Sequence, residues 1–185
     1  LDKDFSKPQA FHMQAISRCG GAAGIIALNI FFLIYFLLYS NIFYEYIVIS
    51  NLMFLIGFLD DIKVNVSPAK RLMLMIIFLF FSIHFLSLEI TNVDIPFLSD
   101  FLKINFFSSI FVLLCFLFII NGANLIDGFN GLLTINLIVI NSILLYINIS
   151  NENIEFSIFL IAQIIILSSF LLFNFPNAKI FLGDS

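Results

Sequence analysis

Side chains that could bind phosphate or a divalent cation are concentrated in four short motifs of an otherwise apolar chain. They are Arg18-Cys19-Gly20-Gly21, Asp60-Asp61-Ile62-Lys63, the segment from Asn121 to Gly128, and Phe181-Leu182-Gly183-Asp184-Ser185. Carboxylate oxygens suit Mg²⁺, which proteins often hold with one or two carboxylates together with substrate phosphates. These four segments, called here the first to fourth motifs, therefore predict a site for a phosphate-bearing ligand and a divalent cation.

The second motif places two adjacent carboxylates where an apolar stretch ends. Asp60 and Asp61 would lie at a helix C-terminus, where a negative charge costs about 0.3–1 kcal/mol. A solvated loop that simply ends the stretch is the alternative, but polar residues at membrane depth usually mark function. Lys63, Lys70 and Arg71 are close in sequence and could neutralise phosphates.

The third motif repeats a polar residue at every third position. At helical spacing, Asn121, Asn124 and Asp127 share one stripe, and amides and carboxylates are costly beside an apolar span unless something satisfies them. Contacts between helices for the asparagines, together with a helix cap for Asp127, are the alternative. We favour ligand binding for the stripe as a whole.

The first and fourth motifs combine glycines with a charge. Arg18 stands before Gly20 and Gly21, which would allow a loop to bring a cation toward phosphate; a positive membrane anchor is an equal alternative for Arg18. Asp184 follows a polar loop that contains Lys179. Asp184 supports a functional site because it forms the third acidic cluster on the same membrane face.

The elements that must position these motifs are membrane helices. The chain of 185 residues is 62% hydrophobic and 11% charged, with a mean hydropathy of +1.12, which excludes an ordinary soluble domain. About 20 apolar residues are needed to cross a bilayer, and because lipid offers no hydrogen bonds each crossing should be helical. Six predicted spans result: 22–40, 42–59, 71–88, 105–120, 131–149 and 155–173.

The spans place all four motifs on one side. Two spans separate neighbouring motifs, so the chain returns each time to the face that it left. Of the eight Lys and Arg residues, Lys103 alone falls on the other side. The positive-inside rule then makes the motif face cytoplasmic.

The chain is predicted to form one membrane domain over residues 1–185, without a soluble domain or an internal repeat. It starts with Leu and stops within a motif, so it is expected to be an inner piece of a longer protein. Cys19 and Cys115 are assigned to different depths, which predicts no disulfide bond.

The motifs together resemble the polyprenyl-phosphate N-acetylhexosamine-1-phosphate transferases, over essentially the whole chain. The matching elements are His12 before Gly20-Gly21, Asp60-Asp61, Asn121-x-x-Asn124-x-x-Asp127-Gly128-x-x-Gly131-Leu132, and Asn174 through Ala178 to Phe181-x-Gly183-Asp184. Two departures are visible: Asn130 stands where the family often has a second Asp, and Ser17 stands where it often has Pro. Any role of that second carboxylate is thus in doubt.

The resemblance implies an all-α integral membrane protein of about six spans, part of a bundle of ten or eleven helices. It implies transfer of HexNAc-1-phosphate from a UDP-N-acetylhexosamine to undecaprenyl (polyprenyl) phosphate, with release of UMP. That would be the first membrane step of cell-envelope polysaccharide synthesis, for lipopolysaccharide or cell wall, at the cytoplasmic face of a bacterial inner membrane.

The resemblance also implies roles for individual residues. Asp184 and Asp127 would bind Mg²⁺, with Mn²⁺ as the alternative. Asp60 and Asp61 would handle the lipid phosphate, and Asp127 joins them as a catalytic residue. The remaining candidates would bind substrate: Arg18, Gly20, Gly21, Lys63, Asn121, Asn124, Asn130 and Lys179. The expected partners are the nucleotide sugar, the polyprenyl phosphate and the bilayer, not nucleic acid; a homodimer is left open.

Other functions were weighed against this one. A branch that uses UDP-MurNAc-pentapeptide is the first alternative, although Arg-x-Gly-Gly and Asp127-Gly128-Phe129-Asn130 favour simple UDP-N-acetyl sugars. A transporter would place its charges in mid-span. CDP-alcohol phosphotransferases need Asp-Gly-x-x-Ala-Arg, and prenyltransferases need Asp repeated at a spacing of four. An inactive fragment is the last alternative, and residues 1–185 alone are expected to be inactive.

Overall fold

The computed structural model describes residues 17–61, 67–127 and 129–183, with Asp60 and Asp61 described by their backbone alone. Seven helices occupy this part of the chain. They are α1 (Gly20–Tyr39), α2 (Tyr44–Asp61), α3 (Pro68–Phe85), α4 (Pro96–Leu102), α5 (Asn105–Ile126), α6 (Leu132–Ser150) and α7 (Ile154–Asn174). The all-α fold class is confirmed.

The six long helices form a closed ring in which each packs on its neighbours, in the order α1, α2, α3, α5, α6, α7 and back to α1. Five of the helices in the described ranges are long and apolar enough to cross a membrane, and the apolar part of α2, Tyr44–Leu59, is shorter. Large apolar side chains such as Phe85, Phe118 and Leu172 are among the most exposed. An outer surface of this kind is stable in lipid and identifies a polytopic membrane fold.

The helix that carries most of the third motif is longer than the predicted span. Its span was expected to end at Ile120, but α5 continues to Ile126. The helix can extend beyond the apolar core because its backbone hydrogen bonds are made internally, and the amide of Asn121 donates to the Leu117 carbonyl on the same helix (2.7 Å). Polarity therefore marks where the span leaves the apolar layer, not where the helix ends.

The short helix α4 was not predicted, because its seven residues lie in the connection between the third and fourth spans. Pro96 starts the helix, where a missing N–H costs nothing. Lys103, which follows the helix, forms an exposed ion pair with Asp100 (2.8 Å). The helix packs on the start of α5, at the end of the bundle away from the motifs.

The two ends of the bundle are filled differently. At the end away from the motifs, aromatic rings of α1, α2 and α7 pack together: Phe32 lies 5.8 Å from Phe159, and Tyr46 lies 4.9 Å from Phe159. Leu79, Ile83 and Val112 form a second buried cluster between α3 and α5. The open space inside the ring of helices therefore lies nearer the motifs.

Candidate functional site

The first and fourth motifs lie side by side. Ser17 and Ile180 form a parallel β-bridge. The N–H groups of Gly20 and Gly21 donate to the carbonyls of Phe181 (2.9 Å) and Leu182 (2.8 Å), and the Phe181 N–H donates to the Ser17 carbonyl (2.9 Å). Segments about 160 residues apart in sequence are therefore joined by backbone hydrogen bonds.

This pairing also caps α1. The first N–H groups of a helix have no partner within the helix, and Cys19, the N-cap residue, makes no side-chain cap hydrogen bond. The carbonyls of Phe181 and Leu182 take that role. The fourth motif is consequently part of how α1 begins.

Gly20 makes this close approach possible. A Cβ atom at Gly20 would lie 2.7 Å from the Phe181 carbonyl oxygen, 3.0 Å from the Leu182 Cα and 2.5 Å from a Phe170 ring carbon. Two of these three neighbours are backbone atoms, which cannot rotate away. A side chain at this position would separate the two motifs.

Asn174, at the end of α7, joins the start of α6 to the residue just before the fourth motif. Its side chain is 2% exposed. Its amide oxygen accepts a hydrogen bond from the Gly131 N–H at the start of α6, and its amide nitrogen donates to the Ile180 carbonyl (2.8 Å). Asn130 donates to the Pro176 carbonyl (3.0 Å). The end of the third motif is thereby tied to the loop that leads to the fourth.

Gly131 meets a backbone requirement at the same junction. It adopts a left-handed conformation (φ 74°) as the N-cap residue of α6. A Cβ atom there would also lie 3.1 Å from the side chains of Leu171 and Phe175. Only glycine fits both the angle and the space without strain.

The three polar residues of the third motif occupy different environments. Asn121 is exposed, Asn124 is half-buried, and Asp127 follows α5 as its C-cap residue. The Asn124 amide nitrogen is buried and has no hydrogen-bond partner within the described ranges. A buried donor without a partner costs about 1–3 kcal/mol, so Asn124 is placed where an acceptor from a ligand or water would lower that cost.

A cavity of about 480 Å³ runs from the motifs into the middle of the ring. Gly21, Asn124 and Gly183 line its motif end, so the first, third and fourth motifs share one space. Asn141 on α6 and Gln163 on α7 line it at greater depth. The remaining wall is mainly aliphatic.

The second motif lies at the same end by topology. A short connection joins α1 to α2, as in an αα-hairpin, so α2 returns beside α1 and ends with Asp60 and Asp61 near the start of α1. The side chains of Asp60 and Asp61 lie outside the described part of the chain, as do Lys63 and Asp184 as whole residues.

No cluster of three His, Cys, Asp or Glu residues occurs among the side chains that the structure describes. Most of the carboxylates assigned to the metal or catalytic site fall outside that set. His12 and Gly128 also lie outside the described residues. Cys19 and Cys115 are free cysteines, as predicted.

Sequence reasoning missed the backbone of the site. The carbonyls of Ser17, Phe181 and Leu182 carry no side-chain signal. Asn174 was recognised as part of a motif but not as the residue that joins α6 to the fourth motif. An asparagine at the end of an apolar span was the available signal, since a buried amide requires partners.

Comparison with known proteins identifies the family of the chain. The model of glycosyl transferase family 4 matches residues 43–185. A phospho-N-acetylmuramoyl-pentapeptide-transferase of Clostridium beijerinckii is 31% identical over 143 residues, 70% of this chain and 43% of the relative. Proteins of the same name from Clostridium perfringens (32% identical, 70% and 44%) and Listeria monocytogenes serotype 4b (31%, 83% and 52%) also match.

The chain spans about half the length of these relatives or less. No solved structure matches. The family model covers most of the chain, including the second, third and fourth motifs, and the chain belongs to glycosyl transferase family 4.

Proposed function

We propose that the protein to which this chain belongs transfers a HexNAc-1-phosphate from a UDP-sugar to polyprenyl phosphate at the cytoplasmic face of a bacterial membrane. An oxygen of the lipid phosphate bonds to the phosphorus that carries the sugar, and the bond from that phosphorus to UMP breaks. The pairing of Gly20 and Gly21 with Phe181 and Leu182 carries this proposal, because it unites two of the motifs that would hold the reacting phosphates.

The donor atoms of the site fit a hard divalent cation. Asp127 follows α5 as its C-cap residue, and Asp184 follows Gly183, which lines the same cavity as Asn124. Asp127 and Asp184 would hold Mg²⁺, or Mn²⁺ in its place, since carboxylate oxygens suit both ions. When bound, the ion supplies neutralisation of phosphate charge.

Asn124 would bind a phosphate or carbonyl oxygen of the nucleotide sugar. Its amide nitrogen is a buried donor without a partner in the described chain, and it lies on the cavity wall. A preorganised donor of this kind needs no rearrangement when charge develops. Arg18, Asn121 and Lys179 would bind the outer part of the same ligand.

Asp60 and Asp61 would orient the lipid phosphate more than deprotonate it. The second pKa of a phosphate monoester is about 6, so this nucleophile is mostly dianionic at neutral pH. Removal of a proton then contributes little, whereas two mutually repelling anions must be held in line. Lys63 would offset part of that charge.

The identity of the sugar donor has two candidates. The relatives are phospho-N-acetylmuramoyl-pentapeptide-transferases, which supports the muramoyl-pentapeptide donor. Asn130, two residues after the third motif, instead favours a simple UDP-N-acetylhexosamine. Both donors use the same transfer reaction. Parallel assays of the full-length protein with each labelled donor distinguish them by the ratio of their kcat/KM values.

Asn124→Leu in the full-length protein tests the proposal. We expect thermal stability in detergent to stay level or rise, because the substitution removes an unsatisfied buried donor. We expect transfer of labelled HexNAc-1-phosphate to polyprenyl phosphate to fall about 10²-fold or more. Asp184→Asn should abolish transfer at every Mg²⁺ concentration.

Leu125→Ala is the matched control, since Leu125 is the neighbouring residue and is 65% exposed. It should keep both stability and transfer. Normal transfer by Asn124→Leu would remove Asn124 from the binding site. Absence of transfer to polyprenyl phosphate by the unaltered protein with either donor would refute the proposed function.

A further inference from the structure

Two asparagines form a reciprocal pair between α1 and α2, within the membrane-spanning part of the ring. The Asn29 amide nitrogen donates to the Asn51 amide oxygen, and the Asn51 amide nitrogen donates to the Asn29 amide oxygen, both at 3.0 Å. Neither residue belongs to the four motifs. This pair is called here the amide clasp.

The clasp uses all four N–H groups of the two amides. Asn29 also donates to the Ile25 carbonyl (2.9 Å), and Asn51 also donates to the Ile47 carbonyl (2.8 Å), each on its own helix. Lipid offers no alternative partner. If one helix slid along the other, both interhelical bonds would break together, so the clasp favours one axial position of α1 against α2.

That position aligns the first and second motifs. Gly20 lies nine residues before Asn29 on α1, and Asp60 lies nine residues after Asn51 on α2. At a rise of about 1.5 Å per residue, each motif is about 13.5 Å from the clasp along its helix. Because the two helices run in opposite directions, Gly20 and Asp60 lie at the same level.

We propose that the amide clasp is a positioning device that sets the register between the first and second motifs. Asn29 and Asn51 contact no substrate; they act through the helices that carry Gly20 and Asp60. This role rests on the proposed function, because it concerns where the phosphate-binding motifs meet. A slip of one helical turn would move them apart by about 5.4 Å.

A slip of that size is large for a reaction site. Misplacement of reacting groups by about 1 Å can cost 10²-fold in rate. Ordinary adhesion between helices, which is the competing explanation, tolerates a slip as long as the packing area is kept. A measurement of the register between α1 and α2 therefore distinguishes a positioning role of the clasp from a merely stabilising one.

Disulfide cross-linking measures the register directly. The full-length protein with Cys19→Ser, Cys115→Ser and any further cysteines replaced would carry Ala22→Cys and Phe58→Cys. These positions are seven residues from Asn29 and Asn51, so they lie on the same helix faces as the clasp and at one level. Ala22→Cys with Leu55→Cys is the off-register pair.

Asn29→Leu/Asn51→Leu removes the clasp and keeps the side-chain bulk. We expect the level pair to cross-link at least fivefold better than the off-register pair in the starting protein. In the double variant this preference should fall below twofold. In protein with its native cysteines, kcat should fall at least tenfold with a smaller change in KM for the UDP-sugar.

Asn136→Leu/Asn148→Leu is the matched control on α6. Each of these amides donates to a carbonyl four residues earlier on its own helix, Leu132 and Leu144 respectively. The control loses two membrane-helix amides without losing a bond between helices. It should keep both the cross-linking preference and kcat.

A second variant guards against misfolding. Asn29→Ser/Asn51→Ser can keep hydrogen bonds to the carbonyls of its own helices, as Ser142 and Ser169 do, but serine is too short to bridge. An unchanged cross-linking preference in the folded serine variant would overturn the proposal, and so would a lost preference with normal kcat. If the starting protein transfers nothing to polyprenyl phosphate, the proposed function fails, while cross-linking still decides the register.

Discussion

Two glycines one helical turn apart in α1 differ in the space available for a side chain. Gly20 is enclosed by the Phe181 carbonyl, the Leu182 Cα and the Phe170 ring, whereas a Cβ atom at Gly24 would meet nothing within 4 Å. Both residues belong to one helix and differ mainly in what surrounds them. The same substitution at both positions therefore isolates the close approach of the first and fourth motifs.

Gly20→Ala should destabilise the full-length protein by about 1–3 kcal/mol, since a methyl group would be forced against backbone. It should also lower transferase activity, because the fourth motif must move. Thermal unfolding in detergent and the transfer assay measure the two effects. Gly24→Ala should instead be neutral or raise stability by about 0.5–1 kcal/mol. Equal effects of the two variants would show that the motifs do not need this contact.

The sequence predicted which residue types would form the site, but not how the segments that carry them are joined. The spacing of Asn121, Asn124 and Asp127 predicted one helical stripe, and Asn121 and Asn124 do lie on one helix. The stripe did not reveal that Asn121 bonds to its own helix while the Asn124 amide nitrogen has no partner among the described residues. That difference depends on neighbouring helices, which spacing within one segment does not encode.

At the scale of elements, Asn174 connects the end of α7, the start of α6 and the residue just before the fourth motif. Its two hydrogen bonds reach Gly131 and Ile180, and its side chain is almost fully buried. Neither connection follows from the helices packing on each other. The junction therefore depends on one amide that offers both a donor and an acceptor.

Asn174→Asp should destabilise the protein, because a carboxylate keeps the acceptor for Gly131 but cannot donate to the Ile180 carbonyl. We expect a loss of about 1–3 kcal/mol, as for a buried acceptor that is left unpaired. Asn174→Ala should lose both bonds and cost at least as much. Chemical or thermal unfolding of the membrane-extracted protein measures these changes.

Asn92→Asp is the control for this substitution, since the Asn92 side chain is exposed outside the helices and its oxygen accepts hydrogen bonds from the Asp94 N–H and the Ser99 hydroxyl, which a carboxylate can keep. If Asn174→Asp unfolds at the same temperature as the unaltered protein, Asn174 does not hold the junction.

The helices themselves were largely foreseeable from hydropathy, because a membrane permits few alternatives to a helix. Hydropathy could not place the last turn and a half of α5, from Asn121 to Ile126, or the short helix α4. Both lie where the chain leaves the apolar layer. At these places the end of a helix is determined by hydrogen bonding within the helix and not by apolar content.

At the scale of the whole molecule, three motifs line one end of the cavity between the six long helices, and aromatic rings of α1, α2 and α7 pack together at the other end of the bundle. This polarity matches the basic residues that the structure describes: Arg18, Lys70, Arg71 and Lys179 lie in or near the segments at the motif end, and Lys103 follows α4 at the far end. The arrangement predicts that all polar motifs contact one aqueous compartment.

Single-cysteine labelling with a membrane-impermeant reagent tests this orientation in a cysteine-free background. Asn130→Cys and Lys179→Cys should react only when the cytoplasmic side is accessible. Lys103→Cys is the matched control and should react from the opposite side. Labelling of Asn130→Cys from the same side as Lys103→Cys would place the end of the third motif on the opposite membrane face. The motifs could then not form one site.

The joining of Gly20 and Gly21 to Phe181 and Leu182 has a consequence for biosynthesis. A ribosome adds about 5–20 residues per second, so the partners of these two N–H groups are made roughly 8–30 s after the glycines themselves. During that interval the first two helices can already enter the bilayer, but α1 has no cap from the fourth motif. The junction between the first and fourth motifs is thus assembled late in the nascent protein, after α7 has been delivered to the membrane.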